Sequence, residues 1–270
     1  MKISVIIPTY KPGDYIKECL ASLVNQTLCK DIFEIVIILN GCNEPFYSMI
    51  SNYIKNYMSE YTVKLMQINK GGVSNARNIG IDNSIGEFLC FIDDDDVVSP
   101  NYLEELLDIS SNFCIGCSNS YSFIDDIQIK NENFLSKKYL KCVNKHYSMY
   151  RFRGYLSPPF AKLIHRDIIG HVRFDTHLSF SEDSVFCFQI APRIRRMTVT
   201  SINCIYYIRD RKGSVTRNGI SISKYLPQFF RIFGSYIELY IKKPMDYELL
   251  FFASRLFAVL RHLWWVFIKK

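Results

Sequence analysis

The sequence predicts an α/β fold with a mostly parallel central sheet flanked by helices and a helical appendage at the carboxyl end. In the first hundred residues, short apolar runs of the strand type alternate with segments of helical period, and four consecutive aspartates end this alternation. Strands joined by helices of ten or more residues imply right-handed crossovers and a parallel sheet covered on both faces. A chain of 270 residues, 49% apolar, suits one large domain with an appendage.

The predicted elements follow a regular order up to the aspartates. The strand segments are ISVIIP, FEIVIIL, TVKLMQI and EFLCFI, and the helical segments between them are DYIKECLASLVNQ, FYSMISNYIKNYM and SNARNIGIDNSI. Beyond the aspartates, NYLEELLDI predicts a helix and NFCIGCSNSYSFI predicts one further strand. Residues 128–159 are polar and aromatic with no clean period, which indicates an irregular insertion.

Cysteine usage and charge bound the setting of the protein. The nine cysteines are odd in number and scattered, and several lie in apolar runs, which predicts buried free thiols in a reducing compartment. Residues 193–270 hold 15 lysines and arginines against four acids, a net charge of +11, which leaves −4 for residues 1–192. We therefore expect the basic end to have a different partner from the acidic end.

The four aspartates, Asp93 to Asp96, directly follow the strand segment FLCFI. Because adjacent carboxylates repel one another, the cluster requires either water or a cation. A solvated loop explains one or two acids. Four acids at the end of a core strand favour a divalent metal site, since oxygen ligands suit Mg²⁺ and Mn²⁺.

Three further segments occur in a fixed order around the aspartates: SVIIPTYKPGDYIKECLASLVNQT, NKGGVSNARNIGIDNSIGEF and LSFSEDSVFCFQ. Together with the aspartates, they closely resemble the family 2 glycosyltransferases, inverting enzymes with the GT-A fold, over roughly residues 2–216. The resemblance implies a GT-A domain over residues 1–218. Within it, residues 1–100 are the nucleotide-sugar-binding half and residues 101–218 the acceptor half, while residues 219–270 form a basic, aromatic helical segment.

The resemblance assigns roles to the acids that follow the fourth strand. Asp95 matches the family's metal-binding acid, and Asp93 or Asp94 matches the acid that reaches the ribose of the donor or, through water, the metal. The expected cofactor is therefore Mn²⁺ or Mg²⁺. Departure of a nucleoside diphosphate leaves negative charge on phosphate, and a divalent cation neutralises that charge.

The resemblance also predicts the contacts of the donor nucleotide. Tyr10 matches the residue whose ring packs on the base, Pro8 offers backbone contacts, and Arg77 matches an arginine that approaches the donor diphosphate. The family commonly ends the second strand with two aspartates, where this sequence has Leu39 and Asn40. The Asn40 carbonyl can still accept the uracil imide hydrogen, and its amide could instead donate to another base.

The acceptor half contains the predicted catalytic base. Asp183 matches the carboxylate that takes the proton from the attacking hydroxyl, and the adjacent Glu182 is a candidate to orient it. Acids also suit a helix amino terminus without any catalytic role. Lys162, His165 and Arg173 are candidates to line the acceptor side, although a structural role fits His165 better.

A basic loop follows these segments. By resemblance, Arg209, Arg211 and Lys212 in YYIRDRKGSVT belong to a loop that closes over the donor, where they would neutralise phosphate; a solvated basic loop explains them equally well. The irregular insertion at residues 128–159 is either mobile or faces the acceptor.

The carboxyl-terminal segment has a helical pattern of its own. Polar residues recur every seven positions from Glu248, which predicts a helix with a narrow cationic stripe and a wide apolar face. The stripe and its flanks contain Arg255, Arg261, His262, Lys269 and Lys270. A core-packing helix and a helix lying on an anionic membrane both fit this pattern. Its longest apolar run is six residues, which predicts that it does not span a bilayer.

We therefore expect a metal-dependent transferase that moves a sugar from a nucleoside diphosphate, expected to be UDP, to a glycan or lipid-linked glycan. The resemblance implies surface-polysaccharide synthesis on the cytoplasmic membrane face, and no nucleic-acid partner is expected. One alternative is a haloacid-dehalogenase-type phosphatase with Asp93 as nucleophile and Asp95 as acid/base. Another is a sugar-nucleotide-binding module without catalysis.

Overall fold

The computed structural model describes residues 1–211 and 222–268, which form two sheets and nine helices. The strands are β1 (Ile3–Thr9), β2 (Phe33–Asn40), β3 (Thr62–Ile68), β4 (Phe88–Phe91), β5 (Val97–Val98), β6 (Cys114–Cys117), β7 (Asn119–Phe123), β8 (Asn131–Glu132), β9 (Lys162–His165), β10 (Arg196–Val199) and β11 (Ile205–Arg209). The helices are α1 (Tyr15–Val24), α2 (Phe46–Tyr57), α3 (Val73–Asp82), α4 (Tyr102–Ile109), α5 (Phe134–Cys142), α6 (Arg166–Ile169), α7 (Glu182–Ile190), α8 (Ile222–Lys242) and α9 (Leu249–Ile268).

The larger sheet has seven strands in the order β10-β6-β9-β4-β1-β2-β3. Its central strands β4, β1, β2 and β3 are parallel, and β9 runs antiparallel to both of its neighbours. Every residue of β1 and β2 is buried, as apolar strands require when both faces of a parallel sheet are covered. The predicted mostly parallel α/β fold is confirmed.

The second half of the domain departs from the predicted elements. The segment predicted as one strand divides at Ser118 into β6 and β7, which belong to different sheets. The Ser118 amide donates to the Ala161 carbonyl beside β9, whereas the Asn119 amide donates to the Cys204 carbonyl beside β11. Competing backbone partners on the two sides therefore bend the chain from one sheet into the other, which periodicity cannot reveal.

The insertion at residues 128–159 is more ordered than its sequence pattern indicates. It contains α5, which begins with a capping box in which the Asn133 side chain accepts from the backbone of Leu135 and Ser136. Phe152 and Tyr155 are completely buried and belong to the main hydrophobic core. The insertion is thus part of the packed domain.

All nine cysteines are free thiols, and seven are buried, as the sequence predicts. Burial raises the pKa of the Cys90 thiol to about 12 and that of the Cys142 thiol to about 11. A thiol with so high a pKa stays protonated and unreactive at neutral pH. These cysteines therefore act as small apolar core residues.

The carboxyl-terminal helices pack on the main domain. Tyr225 and Tyr236 of α8 and Phe251 of α9 are buried in the same core as the central sheet. Two residues of the predicted cationic stripe, Arg255 and His262, make hydrogen bonds to other parts of the protein. Lys269 and Lys270 lie outside the described residues.

Candidate functional site

The parallel strands bring their carboxyl ends to one edge of the sheet. Thr9 at the end of β1 is in register with Leu39 of β2, and β4 pairs with β1 on the other side. Tyr10, Asn40 and Asp93 therefore follow three adjacent strands at the same edge. Ligands of open α/β sheets commonly bind at such an edge, where the connections leave a crevice.

The side of this edge formed by β1 and β2, where the nucleobase is predicted to bind, is held together by the Asn40 side chain. Its Nδ2 donates to the Thr9 carbonyl at 2.7 Å, and its Oδ1 accepts from the Gly72 amide at 3.0 Å. Asn40 is buried and therefore joins β1, β2 and the loop before α3, while the Tyr10 ring is exposed. One amide hydrogen and one carbonyl lone pair of Asn40 remain for a ligand.

The next residue, Gly41, brings two loops into close contact. It has a φ of 66°, and a side chain at this position would lie 2.9 Å from the Gly71 Cα atom. Only glycine accepts this backbone conformation without strain and also leaves room for the facing loop. The loops that follow β2 and β3 are thereby fixed against each other beside Asn40.

The four aspartates diverge, and two of them turn inward. Asp94 is buried and accepts a hydrogen bond from the Thr9 hydroxyl. Asp96 is also buried and accepts from the Arg209 amide at 2.8 Å. Burial raises the pKa of Asp94 to about 7, although the Thr9 bond opposes the shift, and burial also raises the pKa of Asp96. These two acids tie the turn to β1 and β11.

The other two aspartates face the cleft and contact arginines. The Asp93 carboxylate lies 2.9 Å from Arg77 Nη2, and the Asp95 carboxylate lies 2.5 Å from Arg211 Nε. Burial raises the pKa of Asp95, and the positive charge of Arg211 opposes that shift. The repulsion expected within the cluster is thus relieved by separation of the side chains and by two cations.

Arg77 joins the aspartates to the predicted base. Its Nη1 lies 2.6 Å from Asp183 Oδ1, so one guanidinium contacts Asp93 and Asp183 at once. Arg77 is buried beneath the ring of Phe174, 5.4 Å from the ring centroid. Burial opposes its charge, but Asp183 and Asp93 outweigh this effect and raise the pKa of Arg77. The guanidinium is therefore permanently charged.

Asp183 lies in the first turn of α7, as the sequence predicts, with 26% of its side chain exposed. Burial raises its pKa to about 7, while Arg77 opposes the increase and Glu182 adds to it. The pKa of Glu182 is raised by burial as well. A carboxylate with a pKa near neutrality is suited to accept a proton at neutral pH.

The predicted acceptor-side residues lie in different places. Lys162 is buried, and its ammonium donates to the Tyr155 and Pro158 carbonyls. His165 pairs with Phe88 at the start of β4, whereas Asp93 follows its end, and His165 caps α6 by accepting from the Asp167 amide. The Arg173 guanidinium pairs with Asp82 at the end of α3, at 2.7 Å. None of the three side chains lines the cleft that contains Asp183.

The predicted basic loop is partly described. Arg209 Nη2 lies 2.6 Å from Glu18 of α1, and Arg211 Nη1 donates to the Tyr15 hydroxyl at 2.7 Å while its guanidinium contacts Asp95. Both arginines therefore lie beside the aspartates. Lys212 lies outside the described residues.

Several residues of the site were not singled out from the sequence. The Tyr206 hydroxyl accepts from the Asp93 amide at 3.1 Å and also bonds Asp96. Ser184, next to the predicted base, accepts from the Tyr236 hydroxyl at 2.7 Å. Thr9 could have been found from its place at a strand end between Pro8 and Tyr10. Tyr206 and Ser184 carry no sequence signal, since only distant packing places them.

The acids of this edge fit a divalent metal that also binds donor phosphates. Within residues 1–211 and 222–268, no group of three histidine, cysteine or acidic side chains is arranged to hold a metal ion. Mg²⁺ and related ions are commonly bound by one or two carboxylates together with substrate phosphates. The cleft-facing oxygens of Asp93 and Asp95 provide such a pair.

Comparison with known proteins identifies the family. The profile of glycosyl transferase family 2 matches residues 4–156. The chain belongs to glycosyl transferase family 2, a family of transferases, and the phosphatase alternative is therefore set aside.

Curated relatives and a solved structure agree with this family. The chain is 26% identical over 215 residues to a poly(ribitol-phosphate) beta-glucosyltransferase of Bacillus spizizenii, covering 79% of this chain and 33% of the relative. It is 25% identical to glycosyltransferase GlyG of Streptococcus pneumoniae, covering 82% and 75% of the two chains. The chain thus spans about a third of the first relative's length.

A solved structure shows the same fold. It is residues 1–349 of TarS from S. aureus in complex with UDP-GlcNAc. The two superpose with a TM-score of 0.75 at 21% identity, over 96% of this chain and 72% of the other.

We predict an acid limb in the pH profile of kcat/KM with a midpoint near pH 7, because the base must be ionised and burial raises the pKa of Asp183 to about 7. Activity is present above this pH and is lost as the pH falls through it. Arg77→Gln removes the charge that opposes the shift, so its limb should move to higher pH.

The matched control is Arg173→Gln, which alters a cation paired with Asp82 on the surface. Its acid limb should remain at the wild-type position. Circular dichroism is used to check that the Arg77 variant is folded before its pH profile is compared. An acid limb unchanged in folded Arg77→Gln would contradict the assignment of the titration to Asp183.

Proposed function

We propose that the protein is an inverting glycosyltransferase that uses a nucleoside-diphosphate sugar, with UDP as the nucleotide, to extend a bacterial surface polysaccharide. The observation that carries this proposal is the Arg77 bridge, which holds the predicted base Asp183 and the donor-side acid Asp93 within reach of one guanidinium. The relatives named for poly(ribitol-phosphate) and the TarS complex with UDP-GlcNAc support the substrate class.

In this proposal the acceptor hydroxyl attacks the anomeric carbon from the side opposite the diphosphate. Asp183 takes the hydroxyl proton as the new bond forms, which keeps the attacking oxygen nucleophilic. Arg77 orients Asp183 through the 2.6 Å contact and lowers its basicity toward the neutral range. On the base side, Tyr10 stacks on the nucleobase, and Pro8 and Asn40 supply polar contacts.

Asp95 and Asp93 would hold the Mn²⁺ or Mg²⁺ ion together with the donor phosphates. When bound, the ion neutralises the charge that develops on the leaving diphosphate. Arg211 forms an ion pair with the Asp95 carboxylate in this structure. If Asp95 binds the metal instead, the Arg211 guanidinium would be available to contact the donor phosphates. Asp94 and Asp96 support the turn through Thr9 and Arg209.

The acceptor proposed here carries negative charge. Residues 133–166 contain no acid. The hollow on this insertion, of about 320 Å³, is lined by Lys138, Lys141, Arg151 and Arg153 together with Ser148 and Tyr150. None of these four cations takes part in an ion pair within the described part of the chain. A phosphodiester-linked glycan would satisfy them.

A chain of hydrogen bonds links Arg153, one residue of the hollow, to the turn that carries the predicted base. The Arg153 carbonyl accepts a hydrogen bond from Arg255 Nη2 at 2.5 Å, and Arg255 Nη1 reaches the Ser184 hydroxyl at 3.2 Å. One side chain therefore separates the insertion from the turn of α7 that carries Asp183. We propose that the protein acts at the cytoplasmic face of the membrane, to which it binds peripherally. The net charge of +11 on residues 193–270 supports binding to an anionic surface.

Asp183→Asn should reduce kcat by a factor of about 10² to 10⁴, because the amide keeps the shape but cannot take a proton. Binding of UDP-GlcNAc, measured by calorimetry, should change little. The control is Asp167→Asn, whose carboxylate is 78% exposed and far from the cleft. A near-normal kcat would remove Asp183 from the role of base, and a wild-type protein without turnover would be a binding module.

Asp95→Asn should abolish the rise in Tm that Mn²⁺ and UDP-GlcNAc together produce. A ligand at 100 times its Kd stabilises the native state by about 2.7 kcal/mol. For a chain of this size, each kcal/mol of stabilisation raises Tm by roughly 2–4 °C. Asp14→Asn, at an exposed surface pair, is the control. A full Mn²⁺-dependent shift in Asp95→Asn would contradict the metal assignment.

Charge reversal in the hollow should weaken acceptor use alone. In Lys141→Glu/Arg151→Glu, KM for poly(ribitol phosphate) should rise about tenfold or more at low salt, because two favourable charge contacts become repulsive. Slow hydrolysis of the donor by water should keep its rate. Lys55→Glu, on the exposed side of α2, is the matched control. Equal KM values in all three proteins would exclude the hollow from acceptor binding.

A further inference from the structure

Glu248, Arg255 and His262 contact the protein through their side chains, which is the reverse of the orientation that a helix bound to a membrane through its charged residues requires. The Glu248 carboxylate, just before α9, accepts from the Met149 and Tyr150 amides at 2.8 and 3.0 Å. Arg255 is buried and donates to the Ser157 hydroxyl at 2.8 Å, and His262 Nδ1 bonds the Tyr225 hydroxyl at 2.8 Å. Positions 248, 255 and 262 of the seven-residue stripe therefore lie on the side of the helix that contacts the protein, although His262 remains exposed.

The opposite side of the helix is apolar and exposed. We call this side the outer face of α9; it consists of Leu249, Leu250, Phe257, Leu260 and Trp264, with Trp265 at its border, where the Trp265 ring stacks on His262. Phe257 is 66% exposed and Trp264 is 65% exposed. The face extends over 16 residue steps, or about 24 Å of helix. A soluble monomer rarely exposes so long a continuous apolar strip.

By length and composition, the segment Leu249–Val266 could cross a membrane, contrary to the expectation from its short apolar runs. Its side-chain bonds argue for a different arrangement. A spanning helix would have to withdraw Arg255 from Ser157 and Ser184 and place it in hydrocarbon, which is unfavourable for a charged group. A helix lying in the plane of the interface keeps these bonds and buries only the outer face.

The surroundings of the outer face favour lipid as its occupant. Residues 249–270 contain no acid, Arg261 is exposed beside the face, and the sequence continues with Lys269 and Lys270. Tryptophans near basic residues are typical of the boundary between headgroups and acyl chains. We propose that the outer face of α9 inserts into the interfacial layer of an anionic bilayer, with the helix parallel to the membrane plane.

This inference deepens the membrane partner proposed above and does not depend on the transferase chemistry. It also connects the membrane to the cleft. Ser184 accepts hydrogen bonds from Tyr236 of α8 and from Arg255 of α9, and Asp183 precedes it. The helix that inserts is thus fixed to the helix that carries the predicted base, so that insertion sets the position of the cleft relative to the bilayer.

The two tryptophans of the chain are both on α9, so tryptophan emission reports on this helix alone. Full-length protein is mixed with vesicles of phosphatidylcholine and phosphatidylglycerol, with and without brominated lipid. We expect a blue shift and quenching by the bromines, largely retained at high salt because the contact is apolar. Leu250→Glu/Phe257→Glu should weaken partitioning by at least about tenfold, and Ile85→Glu, equally exposed elsewhere, should leave it unchanged.

Three results would overturn the inference: no spectral change with any vesicle, equal partitioning of the double variant and wild type, or a concentration-dependent dimer in light scattering that the double variant dissolves. The last would assign the outer face to a second copy of the chain. Hydrolysis of UDP-GlcNAc without vesicles, measured on the same preparations, tests the transferase separately, so failure of one proposal is distinguishable from failure of the other.

Discussion

The ion pairs of one buried guanidinium, that of Arg77, constrain the whole cleft. Asp93 follows β4 and Asp183 begins α7, so their carboxylates come from parts of the chain 90 residues apart. Two partly buried carboxylates without a cation between them would repel each other, and the buried Arg77 cation without them would be unpaired. The three groups therefore stabilise one another only when β4, α3 and α7 are packed together. The geometry proposed for catalysis is a condition of the fold.

A second set of contacts begins at α7, the helix that carries Asp183. Ser184 follows Asp183 and receives hydrogen bonds from Tyr236 and Arg255. Through Arg255 the set extends to the Arg153 carbonyl on the insertion. The base, the basic hollow and the carboxyl-terminal helices thus share one partly buried polar network. Because such networks stay stable only when their members are satisfied, a change in any of these parts should be felt at Asp183.

Much of the fold and part of the site could be predicted from the sequence. Alternating strand and helix segments define a parallel sheet. Because parallel strands end at the same edge of the sheet, Tyr10, Asn40 and Asp93 lie at one edge. Lys162 and His165 show where such reasoning ends. Both lie in a segment near the predicted base along the chain, yet the Lys162 ammonium binds carbonyls in the interior and His165 lies at the far end of β4. Sequence proximity does not specify the direction of a side chain.

By itself the sequence determined the order of the elements up to the aspartates, the acids at the end of β4 and the seven-residue stripe of α9, because these depend on local period and composition. Only the tertiary structure decided which side of α9 faces the protein. Periodicity defines two faces of a helix but not their partners, and here the Ser157 and Ser184 hydroxyls and the Arg153 carbonyl bind Arg255 on the side that faces the protein. Likewise, only the tertiary structure divides the four adjacent aspartates into two structural acids and two cleft-facing acids. The Thr9 hydroxyl and the Arg209 amide bind the two structural carboxylates, and two arginines contact the two cleft-facing ones.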